Sequence, residues 1–86
     1  MALQIHPPPS EVIGQLRAAI EAAVPCESLD VRGSGGHFEI RVTSKAFQGK
    51  NTLAKQRLVL GAISHLMKGD GAPVHAIDVL ETREPV

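Results

Sequence analysis

Tryptophan and tyrosine are absent from this 86-residue chain, and Phe38 and Phe47 are its only phenylalanines. This composition argues against a deep aromatic-walled pocket for a small molecule, and the few rings available to stack bases weaken single-strand nucleic-acid recognition. Cysteine is nearly absent too. Cys26 stands alone, so no internal disulfide forms and nothing points to an oxidising compartment. Charge of one sign is missing, because nine basic and nine acidic side chains leave a formal net charge of +0. A protein that grips nucleic acid or an anionic membrane by bulk charge is excluded on that ground, while a local basic face stays open. No apolar run approaches the ~20 residues of a membrane span. The opening Met1 to Pro7 has neither a charged n-region nor an apolar h-region, so no signal peptide is read. The expectation is a protein of the cytoplasm with no membrane contact, although an organelle form stripped of its transit peptide would read the same.

What is present fits one domain. A chain of this length buries roughly 60–65% of its unfolded surface, enough for a single core and no second one. That core has to be aliphatic. Pro7, Pro8 and Pro9 make a stiff extended lead-in over residues 1–9. Ser10 offers a hydroxyl as N-cap and Glu11 a carboxylate in the first turn. Val12, Ile13, Leu16, Ile20, Ala23 and Val24 then recur at helical spacing, and Pro25 stops the helix. Leu29 and Val31 alternate with Asp30 and Arg32 as a short strand. Phe38, Ile40 and Val42 alternate with His37, Glu39, Arg41 and Thr43 as a longer one. Gly33-Ser34-Gly35-Gly36 between them reads as the flexible loop of a β-hairpin with one wet face.

Thr52 is the expected cap of a second helix whose buried face carries Leu53, Val59, Leu60, Ile63, Leu66 and Met67. Gly61 is expected to allow close packing inside it, and Gly69 to follow its end. Val74 to Leu80 is the last strand, with His75, Ile77 and Val79 on one face and Ala76, Asp78 and Leu80 on the other. A polar tail follows. The order helix, strand, strand, helix, strand predicts an α+β domain over residues 10–82. It is an αββαβ arrangement in which a three-stranded mixed sheet carries two helices on one face, with the second and third strands parallel through a right-handed crossover.

Candidate chemistry rests on four histidines, one cysteine and a few cations. No His or Cys pair has the spacing of a closed zinc site. An iron–sulfur cluster held mainly by another molecule needs less, since imidazole can replace thiolate on one iron. His75, at the start of the last strand, is either such a donor or a rim-of-core histidine held by a hydrogen bond. His37, in phase with Glu39 and Arg41, is either a donor or a solvated strand residue. His6 and His65 read as surface residues. The Gly33 to Gly36 loop is a poor phosphate cradle, because it leads into a strand rather than a helix; a hairpin that reshapes on a partner is the better account. Arg41, Lys45, Lys50, Lys55 and Arg57 are either a solvated face or a patch for phosphates or for an acidic partner surface. No Gly-x-Ser-x-Gly, His-Glu-x-x-His or Cys–His pair supports catalysis. Cys26 follows a helix C-terminus and reads as structural.

The stretch His37-Phe38-Glu39-Ile40-Arg41-Val42-Thr43-Ser44-Lys45-Ala46-Phe47-Gln48-Gly49 resembles the BolA pattern of an apolar strand, a Ser and then Phe-x-Gly. Leu53-Ala54-Lys55-Gln56-Arg57-Leu58-Val59 is similar to that family's helix start, and Val74-His75-Ala76-Ile77 to its apolar-His-Ala-apolar strand. The resemblance covers about residues 10 to 82. It implies a fold similar to class II KH domains and a non-enzymatic role. It also implies partnership with a monothiol glutaredoxin of the Cys-Gly-Phe-Ser type, the pair sharing a [2Fe-2S] cluster for iron–sulfur trafficking or iron regulation. The glutaredoxin and glutathione would supply thiolates and this chain His75, with no cofactor on the chain alone, which would be a monomer or weak homodimer. The family's second ligand, a Cys or His, lies in the first hairpin loop. Here Gly33, Ser34, Gly35 and Gly36 include neither, and His37 is the nearest substitute. Partner or nucleic-acid contacts are expected from that loop and from Lys50, Lys55 and Arg57, a KH-like nucleic-acid-binding regulator being the alternative function.

Overall fold

The structure is a computed structural model that describes residues 8–86. Its elements run α1 (Pro9–Ala23), β1 (Ser28–Ser34), β2 (His37–Thr43), a 3-10 turn (Lys45–Phe47), α2 (Thr52–Ile63), a second 3-10 turn (Ser64–Leu66) and β3 (Ala76–Arg83). The sheet order is β1-β2-β3, antiparallel between β1 and β2 and parallel between β2 and β3, which is the αββαβ mixed sheet expected.

α1 begins without the Ser10 cap. Pro9 opens the helix, Pro8 is the N-cap, and the Pro8 carbonyl accepts from the amides of Glu11 and Val12 at 2.9 and 3.3 Å. Proline suits a first helical position because its missing N–H would be unpaired there anyway and its φ is already helical. The helix therefore starts one residue inside the expected lead-in; His6 and Pro7 lie outside the described residues. Val12, Leu16, Ile20 and Val24 form its buried stripe, while Ala23 is exposed.

On β2, strict alternation sends Phe38, Ile40 and Val42 into the core, where Val31 of β1 joins them. Both helices pack on that same face. Val59 and Ile63 from α2, Val74 before β3 and the completely buried Phe47 close a single cluster. Phe47 is placed by Ser44, whose buried Oγ accepts from the Ala46 amide at 3.0 Å and whose own amide donates to the Arg83 carbonyl at 3.0 Å. Each fully buried Val, Leu, Ile or Phe contributes about 1.5–3 kcal/mol relative to exposure.

Four further expectations on the second half change. Asn51 rather than Thr52 caps α2, its Oδ1 accepting from the Ala54 amide at 2.8 Å. Leu53 and Leu60 leave the buried face; Leu53 is 55% exposed and Leu60 38%. Gly61 is exposed and a β-carbon there would meet nothing, so it allows no close packing. β3 starts two residues later than expected and runs to Arg83, pairing Glu81, Thr82 and Arg83 with β2 instead of leaving them as tail. A register shift at Phe38/Glu39 inserts an extra β3 residue, Asp78. The core side of β3 is consequently Ile77 and Leu80, which the expected phase placed on opposite faces. No helix among the described residues is long and apolar enough to cross a membrane.

The uncovered sheet face carries an ion ladder. Arg41 donates from Nε to Glu81 at 2.9 Å and from Nη1 to Glu39 at 3.0 Å, and Arg83 donates to Glu81 at 2.6 Å. Hydrogen bonds from Arg83 and then Arg41 hold the Glu81 carboxyl below its ordinary value of 4.5. Donating to Glu39 and then to Glu81 raises the Arg41 guanidinium above its ordinary value.

Two outcomes follow for stability. Phe47→Ala is expected to remove about 3–5 kcal/mol, because a fully buried ring leaves a cavity its neighbours cannot fill. Urea unfolding measures this, and a loss under about 1 kcal/mol would contradict the packing described. Glu81 contributes stability that is present above its unfolded pKa and disappears as pH falls through its lower folded value. Solvent screening keeps the contribution small. Thermal midpoints followed from neutral into acid should thus fall more steeply for wild type than for Glu81→Gln, and parallel curves would remove the ladder from the pH dependence.

Candidate functional site

The hairpin tip is tighter than a four-residue flexible loop. Gly33 and Ser34 belong to β1 and pair with Phe38 and His37, which leaves Gly35 and Gly36 as a two-residue turn. Both have positive φ, +62° and +83°, the sign that lets a short turn follow the natural twist of its strands.

The start of β3 is fastened to this turn. The amides of His75 and Ala76 both donate to the Gly36 carbonyl, at 2.8 and 3.0 Å. One residue earlier, Val74 is fully buried and its amide donates to the Leu66 carbonyl at 3.2 Å. His75 is thereby held between a core anchor and a strand start, yet its side chain is exposed. It is not a rim-of-core histidine, since its ring nitrogens make no hydrogen bond among the described residues.

His37 is exposed on the other side of the same turn. Its Nδ1 lies 3.2 Å from Oδ1 of Asp78 across the sheet. A carboxylate on one ring nitrogen orients an imidazole and selects the tautomer that leaves the other nitrogen as acceptor. Spacing in the sequence does not reveal Asp78 as the neighbour of His37. The pair meets because Ala76 lies opposite His37 and the register shift displaces the residues after Ile77.

The basic residues do not join this cluster. α2 runs back from the Thr43 end of β2 towards the start of β3, so its first turns lie at the opposite end of the sheet from the hairpin tip. The Gly49 amide confirms the placement, donating to Glu84 beyond the end of β3 at 3.1 Å. Lys50, Asn51, Leu53, Ala54, Arg57 and Leu58 line an open groove of about 430 Å³ there. Lys55, on the same helical turns, is half-buried. The five cations expected as one face are divided. Arg41 is on the uncovered sheet face between two carboxylates, and Lys45 is 3.8 Å from Glu27. His65 is exposed, as expected of a surface residue. Cys26 is half-buried beside the core, and burial, reinforced by Glu21, pushes its thiol up, which disfavours the nucleophilic thiolate.

Among the described residues no three His, Cys, Asp or Glu side chains converge as a metal site. The donor set available at the hairpin end is two exposed imidazoles. Such a set can complete a metal centre whose other ligands come from a second molecule.

Comparison with known proteins gives a consistent picture. A family model described as BolA-like protein matches residues 17–85. BolA-like protein 1 of Bos taurus is 36% identical over 90 residues, covering 88% of this chain and 64% of the bovine protein. The chain thus spans just under two thirds of that relative's length. The solution structure of BolA1 from Mus musculus superposes with a TM-score of 0.74 at 28% identity, covering 99% of this chain and 74% of the mouse one. The crystal structure of a Bol-like protein from Babesia bovis gives 0.73 at 27% identity, covering 85% and 84%.

Proposed function

This chain belongs to the BolA-like family, and on that premise we propose that it is a non-enzymatic partner of a monothiol glutaredoxin, sharing a [2Fe-2S] cluster through His75. The observation that carries the reading is His75 itself: an exposed imidazole whose ring nitrogens meet no partner among the described residues, fixed in place by backbone bonds on both sides. The donor chemistry fits, because imidazole replaces thiolate on one iron of such clusters and tunes the potential. The cluster would bring redox or sulfur-transfer chemistry. The chain's own part is to present one neutral nitrogen and to dock. His37 is the second candidate ligand, its ring steadied by Asp78. Iron–sulfur trafficking or iron regulation is the role this arrangement serves.

A second reading has one observation in its favour. Lys50 and Arg57 border a groove with no acidic residue among its lining, which suits phosphate oxygens of a nucleic acid. The exposed Leu53 and Leu58 beside them, and the lack of rings for stacking, suit a protein surface better.

The two readings separate experimentally. When the chain is mixed with a cluster-loaded monothiol glutaredoxin and glutathione, visible circular dichroism should change on complex formation. His75→Ala should lose that change, whereas an unaltered spectrum would remove His75 from the centre. Nucleic-acid binding, if it occurs through these cations, should weaken steeply as salt is raised, with a log–log slope of about −0.9 per phosphate contacted. A flat salt response rejects the second reading.

A further inference from the structure

The hairpin glycine that accepts the His75 and Ala76 amides also touches the His75 ring. A β-carbon built on Gly36 would lie 2.9 Å from Cγ of His75 and 3.2 Å from both Cδ2 and Nδ1. The root of the ring therefore occupies the space that a side chain on Gly36 would need, and Nε2 and Cε1 are not among the three atoms nearest that position. The neighbouring glycine is different. Gly35 has the same sign of φ, +62° against +83°, but a β-carbon there would meet nothing within 4 Å. One turn thus holds a glycine demanded only by backbone conformation and a glycine demanded also by an imidazole.

We propose that Gly36 is the positioning residue of His75: its carbonyl pins the backbone before β3, and its missing side chain is the seat that sets the ring's direction and presents Nε2 outward. The seat narrows an exposed side chain that would otherwise sample several rotamers. Ordering the donor before a partner arrives lowers the cost of binding. The Gly36 carbonyl also places the backbone of His75 beside that of His37, the residue that directly follows Gly36. The inference rests on the reading of His75 as a cluster donor for its purpose, but not for its geometry.

The test compares Gly36→Ala with Gly35→Ala. Both force alanine into positive φ and both strain the turn, but only the first places a methyl against the ring. In the free wild-type protein, the Gly36 α-protons should show cross-relaxation to the His75 ring and an upfield ring-current shift that His75→Ala abolishes. Absence of both signals overturns the proposal, whatever the cluster does. Gly36→Ala should move the His75 imidazole resonances while Gly35→Ala leaves them near wild type; equal movement in the two variants would reduce the effect to turn strain and also overturn it. With cluster-loaded glutaredoxin, Gly36→Ala should weaken the shared complex on the order of 10–100-fold more than Gly35→Ala, the range found for residues that orient a ligand. Should the ring contacts be present while the cluster spectrum ignores His75→Ala, the seat stands and the cluster-sharing function falls.

Discussion

The central strand β2 is hydrogen-bonded along both edges, and its two-residue phase sets the rest of the molecule. One face of it, Phe38, Ile40 and Val42, is completely or almost completely buried, and every other core residue is placed by contact with that face or with something resting on it. The opposite phase, His37, Glu39 and Arg41, is turned outward. There it makes the Asp78 contact and the ion ladder. A one-residue slip would exchange the two sets and put a guanidinium and a carboxylate where the aliphatics are, a change no small core could absorb. With no tryptophan or tyrosine to add area, the rings of Phe38 and Phe47 and the aliphatic side chains around them have to carry the packing.

That dependence explains what could be read from residue order alone. The alternation of β2 and the four-residue spacing of Val12, Leu16, Ile20 and Val24 are local patterns that tertiary contacts only confirm, and they suffice for the αββαβ order. β3 is legible as a strand but not in phase. A bulge is a property of two strands in register, and Val74 to Leu80 contains nothing that says Asp78 is the extra residue. α2 has apolar side chains on nearly all sides, so spacing cannot choose which of them face water; the position of α1 and the sheet decides. Asn51 and Thr52 are adjacent and both able to cap, as Pro9 and Ser10 both offer a start to α1, and in each case the earlier residue wins. The Gly-rich loop has the same ambiguity, since Gly33 and Ser34 are short enough to pair as strand.

The candidate site was legible as a list of residues but not as an arrangement. His75 and His37 are far apart in the chain and meet at one turn because β2 and β3 are parallel and begin together. The cations Lys50 and Arg57 are closer to His37 in sequence than His75 is. They lie at the other end of the sheet because α2 has to run back along it before β3 can start. The domain therefore offers two separate surfaces: an imidazole end with no lysine or arginine on its turn, and a basic, leucine-bearing end with no histidine lining its groove. A partner contacting one surface need not cover the other.

The division has a consequence for how this fold can serve a metal centre without owning one. A single neutral nitrogen is a weak hold on iron compared with a thiolate, and two imidazoles on one hairpin do not make a closed site. On the proposed reading, affinity for a shared cluster would come from the thiolates of the other molecule and from protein contacts, with the histidine supplying discrimination and a change of potential. Under that division of labour the chain gains little from a strong ligand and much from a well-aimed one. An exposed imidazole seated on a glycine, backed by a buried valine on one side and a paired strand on the other, is the form such a donor takes. It is open enough to be met by another protein and, in the proposed seat, aimed before the meeting.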